Sequence, residues 1–378
     1  MKYMGSKRAM LTNGLGKILK AETANSRCFA DLFVGSGAVS WFIAQNTGCR
    51  VLAADLQLFA VSLAEAVISR DKTVNAGLVW KEWSREASEK NRRNHLFREA
   101  GEFDGIKWEK ARRRSVTRAR EICADSHRPI TRAYGGHYFS PKQALVLDAL
   151  RSALPTDRAT RSVALAALIS AASECAAAPG HTAQPFQPTS KGAQFLFEAW
   201  RRDVSSRVKA ALERICPMYA RAAGRAIVSD AETVAEKLKK GDVAFLDPPY
   251  SGVHYSRFYH VLETVARGTR SDIDGVGRYP PPIERPKSEF SMKSTSEDAL
   301  DRLLSKLAAR DVRTILTFPA EETSNGLSGL AVEKVAKEYF KSSKVVVNGR
   351  FSTLGGNLQN RKARIPAYEI ILVLTPRS

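Results

Sequence analysis

The sequence has few cysteines and no paired ones. Cys28, Cys49, Cys123, Cys175 and Cys216 are odd in number and widely spaced, and no CxxC occurs. That excludes a disulfide framework or a cysteine zinc site and fits reduced, buried thiols in a cytoplasmic protein. The six histidines show no HExxH or comparable ligand spacing, so no metal is expected. Long apolar runs are also missing. The longest, residues 163–178, is alanine-rich, contains Glu174 and is too short to cross a bilayer. The opening Met1-Lys2-Tyr3-Met4-Gly5 lacks the apolar core of a signal peptide. Acid is scarce: 39 Asp and Glu face 59 Lys and Arg, leaving a net charge of +20. Such an excess calls for a polyanionic partner. With nothing pointing to a membrane, nucleic acid is the better expectation.

What is present begins with Val243–Leu246, a short apolar run that reads as a buried strand of a parallel sheet. Asp247 follows at its carboxyl end, where open α/β sheets place ligands. Pro248 and Pro249 donate no backbone hydrogen bond and fix φ, so they hold a stiff loop. Pro248 still offers a carbonyl acceptor beside the Asp247 carboxylate, and Tyr250 adds an aromatic face. Two acceptors and a stacking surface suit a planar ring with an exocyclic amine. Adenine is such a ring.

Other strand ends fit the same sheet. Residues 28–37 (CFADLFVGSG) read as a strand and a glycine turn, with a helix from Ala38. Gly35 and Gly37 allow close approach of backbone to a ligand. The dinucleotide fingerprint needs a third glycine at position 40, which is Ser40. Its absence tilts the reading from a pyrophosphate ligand towards S-adenosylmethionine. Residues 50–55 form a second strand ending in Asp55, twenty residues beyond Gly35, the spacing at which an acid grips ribose hydroxyls. Asp55 is also expected to cap the helix at 56–69. A third strand ends at Asp230, with a helix at 231–239. Before all of these, Gly5-Ser6-Lys7 ahead of a helix at about 10–21 reads by default as a disordered basic terminus, the alternative being a turn that holds an anion through backbone N–H groups and Lys7.

Between Ser69 and Arg225 the strand–helix rhythm stops. The stretch 80–132 is dense in arginine (Arg112, Arg113 and Arg114 among them), interleaved with Trp80, Trp83, Phe97, Phe103 and Trp108. That composition suits phosphate contacts and apolar wedges, or equally a solvated helical face over a small core. Helices are expected at 141–154, 161–178 and 195–219, and the loop 179–192 is expected to enter a groove, with a simple connection between helices as the alternative. Arg257 precedes a helix to Ala266, and 268–290 reads as irregular and mobile without a partner. The chain finishes with a helix (296–309), a strand (314–317), a helix (329–339) and an antiparallel pair of strands at 344–347 and 368–374. A basic Gly/Asn-rich segment with Arg350, Arg361, Lys362 and Arg364 lies between the last two.

Taken in order, Lys2–Lys7 as KxxGxK, Asp31–Gly37 as DxFxGxG, the acid Asp55, an inserted segment and the Asp247–Tyr250 DPPY resemble the alpha-group, Dam-like adenine-N6 DNA methyltransferases. The likeness spans nearly the whole chain. It implies an α/β fold: a Rossmann-like S-adenosylmethionine-dependent methyltransferase sheet, mostly parallel with an antiparallel ending, carrying an inserted, mainly helical target-recognition lobe. Residues 1–70 and 220–378 would be catalytic and 71–219 the recognition insert. By this similarity Tyr3 and Lys7 line the cofactor and active-site cleft, and Asp31, Phe33, Gly35 and Gly37 surround the methionine part. Asp55 holds the ribose, Asp230 approaches the cofactor adenine, and Asp247, Pro248, Pro249 and Tyr250 hold the target base. Arg112, Arg113, Arg114, Arg257 and Arg350 are the candidate nucleic-acid contacts. The expected substrate is a flipped-out adenine in duplex DNA; adenine in RNA, cytosine-N4 or a non-catalytic nucleic-acid binder are the alternatives. A monomer, cytoplasmic and nucleoid-associated, is expected; whether a companion restriction enzyme is a partner is left open by the sequence. No nuclease-type constellation is present, so the chain is expected to modify without cutting.

Overall fold

The structure is a computed structural model that describes residues 3, 5–103, 108–269, 271–351 and 365–377, with the side chains at 108–112, 348–351 and 365–367 excepted. Lys2, Arg361, Lys362 and Arg364, and the side chains of Trp108, Arg112 and Arg350, lie outside the described residues. The chain divides into two compact units. One comprises Met4–Asp71, Tyr219–Tyr255 and Pro286–Ser378; the other comprises Met1–Tyr3, Lys72–Met218 and Ser256–Arg285.

The first unit holds a seven-stranded sheet in the order β3-β2-β1-β4-β5-β7-β6. Its strands are β1 (Cys28–Asp31), β2 (Arg50–Asp55), β3 (Arg225–Val228), β4 (Val243–Leu246), β5 (Arg313–Pro319), β6 (Phe340–Phe351) and β7 (Ile365–Pro376). The first five named pair in parallel, with Phe29 opposite Val243 and Phe245 opposite Ile315. β7 then runs antiparallel to β5, and β6 antiparallel to β7. The sheet is therefore mostly parallel with an antiparallel ending, as the sequence implies. Every residue of β4 is buried, which is why that strand reads as an unbroken apolar run. Leu32, Leu246 and Phe318 on the sheet side pack with Leu300, Leu303 and Leu304 of the helix Ser296–Ala309 in one core cluster. From β1 the order runs one way to β2 and β3 and the other way to β4. The carboxyl ends of β1 and β4 thus flank the point where the winding reverses, the usual ligand crevice of such sheets.

Several element limits differ from the sequence reading. The helix expected at 10–21 is broken: Arg8–Met10 and Gly16–Thr23 are helical, but Asn13 (φ −110°) and Gly14 (φ 100°) are not. A positive φ at Gly14 is free for glycine and ends the first piece. The helix expected at 231–239 stops at Ala235, and Asp242 accepts the Lys239 N–H (2.9 Å) to shape the turn into β4. The helix after β2 begins only at Leu58, with Gln57 at its cap, so Asp55 is not the capping residue.

The second unit contains the helices Ala76–Arg92, His95–Ala100, Trp108–Ala124, Pro129–Tyr134, Pro141–Ser152, Arg158–Cys175, Ala193–Trp200 and Val204–Ile215. Their limits follow from local chemistry. Ser140 and Gln143 form a reciprocal capping box. The helix expected at 195–219 is split because Asp203 caps a new start, accepting the Ser206 N–H at 2.6 Å. Within the arginine-rich stretch Trp83 is buried, while Trp80, Phe97 and Phe103 are half-buried. Trp83 is 2% exposed and donates Nε1–H to the Leu150 carbonyl, and Phe103 packs on the cluster of Val116, Leu196 and Phe197. Trp83 is therefore core and not a wedge for a duplex.

Residues 268–290 were expected to be mobile without a partner, but their part in this unit is tied down. Asp274 and Tyr279 form a bridge, Arg278 donates to the Ala133 carbonyl (2.8 Å), and Tyr279 Oη donates to the Ala183 carbonyl (2.5 Å). The loop 179–192 is tied in likewise, through Thr182 N–H to the Phe258 carbonyl (2.6 Å) and Phe186 N–H to the Ala177 carbonyl (2.8 Å).

Candidate active site

At the carboxyl end of β1 the chain makes its glycine turn, with Gly35 at φ 50° and Gly37 at φ 74°. The positive φ of Gly37 favours glycine, and a Cβ there would sit tightly, 3.3 Å from Trp41 Nε1 and 3.4 Å from the Ala64 backbone nitrogen in the helix Leu58–Ile68. Asp55, at the end of β2, closes the turn from the side. Its Oδ2 accepts the Gly35 N–H (2.9 Å) and its Oδ1 the Gln57 N–H (3.0 Å). The twenty-residue spacing is realised as a hydrogen bond between carboxylate and glycine.

Asp31 ends β1 and is 1% exposed. Ser40 Oγ donates to its Oδ2 at 2.6 Å. Its other oxygen, Oδ1, is buried and meets no donor in hydrogen-bond geometry among the described residues. Burial pushes the carboxyl up to about 7, against the opposing pull of the Ser40 hydroxyl. A buried carboxylate oxygen without a partner costs free energy until a donor arrives, and a cationic amino group is the donor that repays most. The site therefore fits a ligand carrying an ammonium, as S-adenosylmethionine does. Sequence reading treated Ser40 only as a missing glycine; it is the group that holds Asp31. Phe33 lies edge-on to Phe290 (5.1 Å between centroids). The Asp230 carboxylate is engaged as a helix cap, taking Thr233 N–H (2.8 Å) and Thr233 Oγ (2.6 Å).

Asp247, beyond β4, is held differently. Lys7 Nζ lies 2.8 Å from Asp247 Oδ1, and Thr317 Oγ1 on β5 donates to the same Oδ1 at 2.9 Å. Both donors thus take one oxygen. Lys7 is 4% exposed, and its ammonium also faces Glu369 Oε2 on β7 at 3.1 Å. Burial alone would lower the lysine, but the Asp247 and Glu369 carboxylates more than offset it and leave the ammonium above its ordinary range. Burial raises the Asp247 carboxyl, Lys7 pulls it back down, and Glu369 pushes it up again.

The rest of the loop is built around this pair. Tyr250 is half-buried and lies edge-on to Tyr255 (6.5 Å). A Cβ on Gly5 (φ 71°) would come within 2.8 Å of Tyr250 Oη, so the glycine of the opening motif makes room for the tyrosine of the loop. Asn325, wholly buried in the segment after β5, donates to the Pro249 carbonyl (2.9 Å) and to the Phe290 carbonyl (2.9 Å). Its own oxygen accepts from Thr323 Oγ1 (2.6 Å). Ser324 Oγ accepts the Gly252 N–H (2.8 Å). Glu369, Thr317, Ser324 and Asn325 all escaped sequence reading.

The remaining candidates lie in the helical unit. Tyr3 stacks on Tyr259 (4.7 Å between centroids). Arg113 and Arg114 are exposed on the helix Trp108–Ala124. Arg257 is exposed, its guanidinium 4.7 Å from the Tyr279 ring centre. No helix of the described residues is long and apolar enough to cross a membrane.

A mostly parallel sheet with a glycine turn after β1 and an Asp-Pro-Pro-Tyr loop after β4 is consistent with a methyltransferase fold. The chain belongs to the D12 class N6 adenine-specific DNA methyltransferase family, whose model matches residues 3–281. It is similar to modification methylase LlaI of Lactococcus lactis subsp. lactis, 26% identical over 309 residues, which are 79% of this chain and 43% of that protein. It also resembles Type II methyltransferase M.FokI of Planomicrobium okeanokoites, 31% identical over 113 residues, 30% of this chain and 16% of that protein. The chain spans less than half the length of either curated relative it matches.

Proposed function

We propose that this chain transfers a methyl group from S-adenosylmethionine to the exocyclic N6 amine of a flipped-out adenine in duplex DNA. The observation that carries this reading is the state of Asp247: Lys7 and Thr317 both hold Oδ1, which leaves Oδ2 to accept from a substrate amine. Membership of the adenine-specific family supports adenine over cytosine.

The amine of adenine is a poor nucleophile because its lone pair is conjugated with the ring. Asp247 and the Pro248 carbonyl each accept one amine hydrogen, drawing the lone pair out of conjugation. S-adenosylmethionine, when bound, supplies an electrophilic sulfonium methyl. Once the amine had taken that methyl, the Asp247 carboxylate would accept the proton the amine gives up. Pro249, pinned through its carbonyl by Asn325, fixes the loop, and Tyr250 stacks on the base and offsets part of the cost of unstacking it. Asp31 would hold the cofactor's ammonium, with Phe33, Gly35 and Gly37 beside it. Asp55 would meet the ribose, Asp230 the cofactor adenine and Tyr3 the cleft.

The helical region 71–219 is assigned target recognition, with Arg112, Arg113, Arg114, Arg257 and Arg350 as phosphate contacts; the net charge of +20 supports this. A modification role as a cytoplasmic, nucleoid-associated monomer, beside a companion restriction enzyme, is the physiological reading; one relative is named a modification methylase.

Methyl transfer from labelled S-adenosylmethionine to unmethylated duplex DNA tests the proposal, with matched RNA and Asp247→Ala as controls. The expected result is methyladenine in the DNA digest, abolished in Asp247→Ala. Label in RNA alone, or unchanged turnover in the variant, would overturn it.

A further inference from the structure

Glu369 sits in a strand that is otherwise almost wholly apolar, Tyr368-Glu369-Ile370-Ile371-Leu372-Val373-Leu374. It is 7% exposed. The antiparallel register places Ile371 opposite Thr317 and Glu369 opposite Pro319, so Glu369 shares the face of the sheet from which Thr317 reaches Asp247. A buried carboxylate is unfavourable unless a charge meets it, and here the only ion-pair partner among the described residues is Lys7 (3.1 Å). Lys7 is in turn the only lysine or arginine of the described residues within ion-pair reach of Asp247 (2.8 Å).

We propose that Glu369 is a positioning residue for the methyl-transfer reaction: it shares the Lys7 ammonium with Asp247, so that Lys7 orients Asp247 without claiming its whole charge. This deepens the methyltransferase reading and rests on it. With a single carboxylate, the ammonium would bind Asp247 undivided and weaken it as an acceptor for the amine. With none of the ammonium's charge, Asp247 and Glu369 would repel, and one would take up a proton. The divided lysine keeps Asp247 both ionised and available. The charged and titratable groups around the pair are Lys7 before the Arg8–Met10 helix, Asp31 at the end of β1, Tyr250 in the loop itself and Glu369 on β7; Thr317 on β5 is neutral.

The test compares Glu369→Gln with Lys7→Met, because the proposal demands opposite signs. Removing the Glu369 carboxylate takes away a repulsion on Asp247, so the acid limb of the kcat profile moves to lower pH, by about one unit. Removing the Lys7 ammonium moves it to higher pH by a similar amount. In Glu369→Gln, kcat on the plateau is expected to fall about tenfold with KM for DNA unchanged, and Glu369→Asp should restore most of the loss. A purely structural glutamate would leave the acid limb in place or shift it the same way as Lys7→Met, and either result overturns the proposal. Carbon-13 titration of the Asp247 carboxyl, assigned with Asp247→Asn, reads the same opposite shifts without any turnover. Absence of methyl transfer by the unaltered chain would sink the functional reading, whereas transfer with an unmoved Asp247 titration would sink only this inference. Should Glu369→Gln not fold, Glu369→Asp carries the test, with a smaller shift of the same sign expected from its shorter reach and no shift counting against it.

Discussion

Two carboxylates end neighbouring strands of the sheet, and they are built alike up to a point. Asp31 after β1 has one oxygen held by the Ser40 hydroxyl (2.6 Å), and Asp247 after β4 has one held by the Thr317 hydroxyl (2.9 Å). In each case the second oxygen is left for something else. The difference is the cation. Asp247 has Lys7 at 2.8 Å, while Asp31 has no lysine or arginine in ion-pair reach among the described residues, and burial pushes its carboxyl up to about 7. A carboxylate that already owns a cation is suited to a neutral donor such as an amine. One that lacks a cation is suited to a ligand that brings its own. On the proposed function, a single sheet thereby separates methyl-donor binding from base activation.

The strongest attempt to break this division exchanges the charge for an isosteric amide at each end. Asp247→Asn should lower kcat by roughly 10²–10³-fold, the usual scale for one electrostatic contact to the reacting group, while calorimetry finds cofactor affinity within about threefold of the unaltered chain. Asp31→Asn should do the reverse. Loss of a charge-assisted bond weakens cofactor affinity by roughly 10–100-fold, with turnover at saturating cofactor largely retained. If both variants lose the same parameter, the two carboxylates do not have separate tasks.

Acidity sharpens the same contrast. An acid raised by folding favours the protein in its protonated form. The Asp31 contribution to stability is therefore complete below its unfolded value, near pH 4, and lost as pH rises through about 7. Above pH 7 the unliganded chain carries a buried, half-satisfied anion, and Asp31→Asn should then melt at a higher temperature than the unaltered chain. The gap should narrow on going to pH 5 and close near pH 4. Cofactor affinity should run the other way, tightening as pH rises from about 6 towards 7.5 while the ligand's α-amino group stays mostly protonated. An affinity flat across that interval would detach Asp31 from the ammonium.

How much of this was legible in the sequence follows from the range of the contacts. The ends of β1, β2, β3 and β4 could be read because each apolar run stops at or just before an aspartate, and the DPPY loop follows without a gap. The antiparallel ending was legible from two β-branched runs at the end of the chain. What holds the aspartates was not. Lys7 and Glu369 come from opposite ends of the chain, and only pairing of β7 with β5 brings Glu369 to the site. Asn325 sits in Thr323-Ser324-Asn325-Gly326, which reads as an ordinary turn, although its side chain is buried and holds the loop at Pro249. Ser40 was noticed only for the glycine it replaces. Polar residues with ordinary turn or helix roles carry no local mark of a distant partner, whereas strand ends do. The same limit applies to Trp83, whose neighbours are the polar Lys81, Glu82, Ser84 and Arg85 in sequence and core in space.

The smallest effects should come from the two hydroxyls, and they are the finest test of the division. Ser40→Ala removes the only side-chain hydrogen bond to the Asp31 carboxyl among the described residues, so its pKa rises further and less of it is ionised at neutral pH. Cofactor affinity should fall about tenfold, with kcat at saturation unchanged. Thr317→Val keeps shape and volume nearly constant and removes a donor from Asp247 Oδ1, but Lys7 still holds that oxygen. The loss should therefore be smaller, about threefold in kcat, with cofactor affinity untouched. A larger effect on kcat from Thr317→Val than from Glu369→Gln would mean that the hydroxyl, and not the divided lysine, orients Asp247. An effect of Thr317→Val on cofactor affinity would mean that the two strand ends are coupled, and the separation of binding from activation would fail at its weakest joint.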